Sequence, residues 1–183
     1  DIFRGLTMML MILVNNPGDW GNIYPPLEHA DWHGCTPTDL VFPFFVFIMG
    51  VAIPFSSSSG RKLGQKQFIK ILGRSLRIIC LGLCLSFFSK INVGGLEGIP
   101  LLIIRLIFSG FVGYLLLGNF KDTVKLGIAM ALFVIFIGLA YSGLPAFENV
   151  RIPGVLQRLG VVYFFAAIVF LSFSYRNQFI FGV

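Results

Sequence analysis

The chain has 183 residues, of which 56% are hydrophobic and only 12% are charged, and its mean hydropathy is +0.87. Soluble domains carry roughly 25% charged residues, so this composition excludes a disordered chain, a disulfide scaffold and an ordinary cytosolic enzyme. The net charge of +6 does not indicate nucleic acid in so apolar a chain, because basic residues of membrane proteins mark cytoplasmic loops. We therefore expect an all-α, polytopic transmembrane helix bundle with no nucleic acid partner.

Six apolar stretches are long enough, or nearly so, to be membrane spans of about 20 residues. They are residues 2–16, 40–57, 68–89, 99–117, 124–141 and 152–174. The first stretch is short and begins almost at Asp1. We therefore expect residues 1–183 to be a fragment of one longer transmembrane domain.

A helix start signal, Thr-Pro-Thr-Asp, precedes the second span at residues 36–39. Thr36 suits the N-cap, Pro37 suits the first helical position, and Asp39 occupies the place of the acid in a capping box. Pro43 and Pro54 follow within or near the span. They predict kinks, which membrane helices tolerate where neighbouring groups satisfy the freed carbonyls.

The charges divide between two sides once six spans are assumed. One set of span ends holds ten basic residues: Arg4, Arg61, Lys62, Lys66, Lys70, Arg74, Arg77, Lys121, Lys125 and Arg176. Most acids fall on the other set: Asp19, Glu28, Asp31, Asp39, Glu97 and Glu148. By the positive-inside rule, the Asp1 end is cytoplasmic and the loop of residues 16–36 is extracytoplasmic.

This loop holds both histidines of the chain, His29 and His33, with acidic residues close by in the sequence. Histidine is the side chain best suited to move protons near neutral pH, and a nearby acid could orient its ring. The alternative is an interfacial loop whose aromatic residues form a belt at the headgroup level. The aromatic residues are Trp20, Tyr24 and Trp32. Composition alone leaves both interpretations open.

Metal binding by His29, Asp31 and His33, with Cys35 nearby, is a further alternative. The spacing matches no common zinc pattern, and we expect no metal. A nucleophilic pair of Cys35 with a histidine is less favoured still, because nothing in the sequence clearly activates that thiol. Cys80 and Cys84 lie four residues apart in one span and are expected to be inert packing residues.

Charged and polar residues inside or beside spans are candidate functional groups. Arg105 lies six residues into its stretch and is close enough to the end to act as an anchor. Gln157 and Arg158 are expected about two turns into the last span. Arg158 could form an interhelical ion pair with Asp39 or another acid, or both residues could form a site for an anionic or polar ligand. Arg4 could likewise form an ion pair with Asp1 or bind a phosphate group.

Five motifs resemble those of the heparan-alpha-glucosaminide N-acetyltransferase family, which includes many bacterial membrane proteins. They are residues 1–6 (Asp-Ile-Phe-Arg-Gly-Leu), 14–15 (Val-Asn), 29–34 (His-Ala-Asp-Trp-His-Gly), 38–45 (Thr-Asp-Leu-Val-Phe-Pro-Phe-Phe) and 151–160 (Arg-Ile-Pro-Gly-Val-Leu-Gln-Arg-Leu-Gly). The likeness covers roughly residues 1–90 and 148–175. Residues 99–141 look like an added two-helix hairpin.

The resemblance implies an acyltransferase that carries acetyl groups from cytoplasmic acetyl-CoA to an amino sugar or glycan acceptor across the membrane. It implies acetyl-CoA as the co-substrate and a bacterial inner membrane as the location. His29 matches the active histidine of the family, and Asn15 matches its loop asparagine. We expect membrane lipid around the spans and keep a homodimer as an open alternative.

In the mechanism expected from this resemblance, five residues act together with His29. Asp39 would orient His29, and Asn15 could donate a hydrogen bond to the developing oxyanion. Arg4, Gln157 and Arg158 would bind acetyl-CoA. Two other classes of protein fit the same spans: a transporter or permease for a small polar or anionic solute, and a structural membrane subunit.

Overall fold

The computed structural model describes residues 2–19, 21–31, 33–56, 64–88, 90–91, 98–142 and 154–182. These ranges contain α-helices and one short 3-10 helix, Pro25–Leu27, and no strand, which confirms the predicted all-α fold. The α-helices are α1 (Ile2–Asn15), α2 (Pro37–Ser56), α3 (Gln65–Phe88), α4 (Ile99–Leu117), α5 (Asp122–Ala140), α6 (Val155–Ser172) and α7 (Tyr175–Gly182).

The five helices α2 to α6 are long and apolar enough to cross a membrane. The sixth predicted span is α1, an apolar helix of 14 residues. It rises about 21 Å, less than the roughly 30 Å of a hydrocarbon core. The chain thus has the architecture of an integral membrane protein with about six apolar helices, as predicted. The sequence did not predict α7 or the 3-10 helix.

The chain divides into two compact units, Asp1–Gly60 and Arg61–Val183. In the first unit α1 packs against α2. The rings of Phe3 and Phe44 meet edge to face, with their centroids 5.4 Å apart. Pro43 and Pro54 both lie inside α2, as predicted, and each removes a backbone donor from the helical ladder.

The second unit is built around α3, which contacts α4, α5 and α6. Helix α5 runs parallel to α3, because Cys80 contacts Ala129 and Phe87 stacks on Phe136 further along both helices. Helix α6 runs antiparallel to α3. Its contacts pair Ser75 with Gly160 near the start of α3, and Gly82 with Gln157 further along it.

The core of this second unit lies between α3, α4 and α5. Its buried members are Cys80, Leu83, Cys84, Phe87, Val112, Leu116, Ala129 and Phe136. The Cys80 thiol donates to the Ala129 carbonyl at 3.2 Å. The two cysteines of α3 are therefore packing residues, as the sequence predicts.

Helices α3 and α6 approach each other closely at Gly160. The Ser75 hydroxyl donates to the Gly160 carbonyl at 2.8 Å, and the Ser75 side chain is buried. A Cβ atom at Gly160 would lie 2.6 Å from Ile79 Cγ1 and 3.1 Å from the Ser75 carbonyl oxygen. Small residues let membrane helices approach in this way and bond across the contact.

Replacing Gly160 with alanine should destabilise the protein by about 1–3 kcal/mol, because the added methyl group must push α3 and α6 apart. Gly127→Ala is the matched control, since a Cβ atom at Gly127 has no neighbour within 4 Å. That control should leave stability unchanged or raise it slightly. Thermal unfolding of the full-length protein in detergent measures both. Equal melting temperatures for the two variants would contradict the close contact.

The C-terminus of α6 is capped by a side chain from α7. The Gln178 Nε2 group donates to the carbonyls of Val169, Phe170 and Phe173, at 3.4, 3.0 and 2.8 Å. The last carbonyls of a helix have no donor within the helix. Gln178 supplies donors to this end and holds the start of α7 against it.

The depth predicted for Gln157 and Arg158 is wrong. Helix α6 begins at Val155, so both residues lie in its first turn rather than two turns inside a span. The reason is the extended backbone of the N-cap residue Gly154, with φ −76° and ψ 175°. The apolar stretch that starts at residue 152 therefore does not mark the start of the helix.

Candidate active site

The loop between α1 and α2 begins with a turn that Asp19 stabilises. The Asp19 carboxylate accepts hydrogen bonds from the Gly21 N–H at 2.9 Å and from the Asn22 side-chain amide at 2.7 Å. These bonds favour the charged carboxylate and lower the pKa of Asp19 below its usual value. Gly18 enters the turn with a φ of +82°, a conformation that suits glycine.

The middle of the loop is attached to the start of α2. Residues Pro25–Leu27 form the 3-10 helix, and the Thr38 hydroxyl donates to the Pro26 carbonyl at 3.4 Å. Thr38 is buried although it belongs to the first turn of α2. Gly34, with a φ of +138°, lets the chain turn towards that helix.

The first turn of α2 has the predicted helix start. Pro37 is the first helical residue, so Thr36 is the N-cap and Asp39 the third helical position. The Asp39 carboxylate accepts from the Thr36 N–H at 3.0 Å, as the acid of a capping box does. The Thr36 hydroxyl donates to the same oxygen, also at 3.0 Å. The negative charge lies at the positive end of the helix dipole.

The same carboxylate holds His29. The distance from His29 Nδ1 to Asp39 Oδ1 is 2.7 Å, and the Ala30 N–H donates to Asp39 Oδ2 at 3.2 Å. Asp39 thus joins residues 29 and 30 of the loop to the start of α2. Because the cap fixes the carboxylate, it also fixes the orientation of the imidazole ring.

This geometry determines which nitrogen of His29 is available for chemistry. A carboxylate can only accept hydrogen bonds, so the 2.7 Å contact requires the proton on Nδ1. In the neutral ring Nε2 then carries the free electron pair. The His29 side chain is 75% exposed, so that pair is accessible to a substrate. A base that is oriented by an acid is the arrangement found in nucleophilic and general-base catalysis.

The other predicted catalytic residue, Asn15, is the last residue of α1. Its side-chain amide donates to the Met11 carbonyl of the same helix at 2.8 Å. Within the described ranges the structure therefore brings His29 and Asp39 together but records no hydrogen bond from Asn15 to either. Its predicted oxyanion role would use the remaining N–H of the exposed amide.

The predicted acetyl-CoA-binding residues occupy three different environments. Arg4 is exposed in the first turn of α1, and Arg158 is exposed in the first turn of α6. Gln157 is buried, and its Nε2 atom has no hydrogen-bond partner among the described residues. Arg151 and Asp1 lie outside the described part of the chain. The Arg105 Nε donates to the Ile91 carbonyl at 2.9 Å.

The sequence also leaves three alternatives: a metal site, a cysteine nucleophile and an aromatic belt. No three His, Cys, Asp or Glu side chains gather as a metal site in the part of the chain that the structure describes. Cys35 is exposed and free. Of the aromatic belt, Tyr24 is exposed, while Trp20 and Trp32 lie outside the described residues. Sequence reasoning did not foresee that Ala30 would donate to Asp39, because a backbone contact of this kind carries no residue signature.

Comparison with known proteins identifies the family of the chain. The family model described as the catalytic region of heparan-alpha-glucosaminide N-acetyltransferase matches residues 1–152. The chain belongs to this family. It is 33% identical to the human (Homo sapiens) heparan-alpha-glucosaminide N-acetyltransferase over 178 residues, which is 95% of the chain. It is also 33% identical to the mouse (Mus musculus) protein of that name over 173 residues, or 92% of the chain.

The predicted family is thus confirmed. The chain spans 19% of the length of the human relative and 18% of the mouse relative. No solved structure matches it significantly. The family match covers the whole His29 and Asp39 region.

Proposed function

We propose that this chain supplies the acetyl-transfer site of a transmembrane acyltransferase, which moves an acetyl group from cytoplasmic acetyl-CoA to an amino sugar on the extracytoplasmic side. The observation that carries the proposal is the His29–Asp39 pair, whose Nδ1–Oδ1 distance of 2.7 Å leaves Nε2 free. Membership of an N-acetyltransferase family supports the same reaction class.

The chemical step requires a base next to the acceptor amine. As the amine nitrogen attacks the thioester carbonyl, a C–N bond forms, the C–S bond breaks and CoA leaves as the thiolate or thiol. His29 Nε2 would take the proton from the amine, or would first accept the acetyl group and then pass it on. In both routes Asp39 stabilises the positive imidazolium and keeps the ring in place.

Donor binding is assigned to residues that lie away from His29 along the chain. Arg4 and Asn15 occupy the first and last turns of α1, eleven residues or about 16 Å apart along its axis. Acetyl-CoA is elongated, with anionic phosphates at one end and the thioester at the other. Arg4 would hold the phosphates, and Asn15 would face the reacting carbonyl.

The proposed orientation of the chain in the membrane agrees with the helix directions in the second unit. Because α5 is parallel to α3 and α6 is antiparallel, one end of this unit holds the starts of α3 and α5. The basic residues of that end are Lys66, Lys70, Arg74, Arg77, Lys121 and Lys125. By the positive-inside rule this end would be cytoplasmic.

The test uses the full-length protein reconstituted in liposomes, with glucosamine inside and acetyl-CoA labelled in its acetyl group outside. We expect labelled N-acetylglucosamine to accumulate in the lumen. Labelled product formed only outside would contradict the transmembrane route. Release of unmodified glucosamine from the liposomes, at the same rate with and without acetyl-CoA, would instead identify a transporter.

A further inference from the structure

Helix α3 carries four basic residues on one face of its first half. They are Lys66, Lys70, Arg74 and Arg77, and we call this set the basic face. Their spacing of four, four and three residues places them within about 80° of one another around the helix. The set extends over eleven residues, or about 16 Å along the axis. Lys66, Lys70 and Arg74 are exposed and Arg77 is half-buried.

The basic face has little compensating charge. Asp122 is the one acidic residue in the described part of the second unit. Its carboxylate lies 4.0 Å from Lys70 Nζ, and both side chains are more than half exposed. The first turn of α3 holds no acid. Like charges four residues apart on a helix destabilise it, so anions from outside the unit would stabilise this face.

The two arginines keep their charge near the Gln65 end of α3. Arg77 Nε donates to the carbonyl of Gly73, four residues earlier, at 3.0 Å. Its guanidinium therefore points back along the helix. The Arg74 guanidinium lies over the ring of Tyr163 on α6, 5.3 Å from the ring centroid. Both side chains thus leave the apolar second half of α3 and point towards the lysines, as arginines do near a membrane surface.

The length of α3 determines where the basic face lies relative to the membrane surface. The helix has 24 residues and rises about 36 Å, longer than the roughly 30 Å hydrocarbon core. The half that ends at Phe88 is apolar and contributes four of the eight buried residues of the core. With that half in the hydrocarbon, Lys66 and Lys70 reach the layer of lipid headgroups.

We infer that the basic face of α3 binds the phosphate groups of anionic phospholipids. The four cations follow the helix axis over 16 Å as an extended stripe, which suits a layer of headgroups. The exposed lysines give the charge complementarity, since Asp122 is the one acidic residue in the described part of this unit. This role is independent of the acetyl-transfer site.

The test is native mass spectrometry of the full-length protein titrated with phosphatidylglycerol against phosphatidylcholine. We expect wild-type protein to retain phosphatidylglycerol preferentially. Neutralising one lysine should weaken that binding about five-fold, and the double variant Lys66→Gln/Lys70→Gln more strongly. Lys66→Arg/Lys70→Arg keeps the charge and should bind as wild type. Lys90→Gln, at the opposite end of α3, is the matched control and should also bind as wild type.

Three outcomes would overturn the inference. The first is unchanged lipid selectivity in Lys66→Gln/Lys70→Gln, provided that this variant is monodisperse and melts like wild type in phosphatidylcholine. The second is an equal loss in Lys90→Gln. The third is displacement of phosphatidylglycerol by acetyl-CoA, which would assign the basic face to the nucleotide instead.

Discussion

His29→Ala is expected to lower acetyl transfer by the full-length protein by about 10²–10⁴-fold, the usual contribution of a positioned acid–base group. The variant loses the exposed Nε2 that the 2.7 Å contact with Asp39 leaves unprotonated. The side chain is 75% exposed, so its removal should leave stability nearly unchanged. Initial rates with acetyl-CoA and glucosamine measure the effect.

His33→Ala is the matched control for that variant. It removes the only other histidine of the chain, from the same loop and with similar exposure. It should leave the rate near that of wild type. Added imidazole should restore part of the activity of His29→Ala by occupying the space of the missing ring. Wild-type turnover in His29→Ala would show that His29 has no catalytic role.

Asp39→Asn is expected to reduce acetyl transfer by a similar factor of about 10²–10⁴, while the yield of folded protein changes little. The new amide can donate to His29 Nδ1, and the proton of the neutral ring then moves to Nε2, where it blocks the base. The effect should fall on kcat/KM and should change its pH profile. A purely structural role for Asp39 would lower protein yield and leave that profile as in wild type.

Asp39→Glu separates the two roles of this carboxylate. Glutamate at the third helical position keeps a capping box, so α2 should start normally. The extra methylene displaces the carboxylate from the position that now lies 2.7 Å from His29. We expect a stable protein with reduced activity. Asp39→Ala also loses the acid of the capping box and its charge at the start of the helix, which should cost a further ~0.3–1 kcal/mol of stability.

Local rules predicted much of the fold and the central pair of the site. The lengths of the apolar stretches alone predicted where the helices lie. The predicted bounds of α4, residues 99–117, are those found in the structure. The Thr36–Asp39 pattern predicted the start of α2 because capping depends on neighbouring residues only. The contact between His29 and Asp39 was expected from the family motifs, and the structure contains it. The catalytic roles themselves remain predictions.

Features that depend on tertiary packing could not be predicted in this way. Apolar composition continues through residues 152–154, so it could not reveal that the extended backbone of Gly154 delays the start of α6. The contact between Ser75 and Gly160 joins residues 85 positions apart. The cap supplied by Gln178 depends on the turn between α6 and α7. None of these has a local sequence signature.

The central position of α3 also has a consequence for the synthesis of this protein. Ser75 finds its acceptor at Gly160 only after 85 further residues have been made. At about 5–20 residues per second this takes about 4–17 s. During that interval α3 is inserted without α6, and the Ser75 hydroxyl must use a carbonyl of its own helix or an assembly factor. Chains interrupted before α6 would expose the face of α3 that α6 covers to membrane quality control.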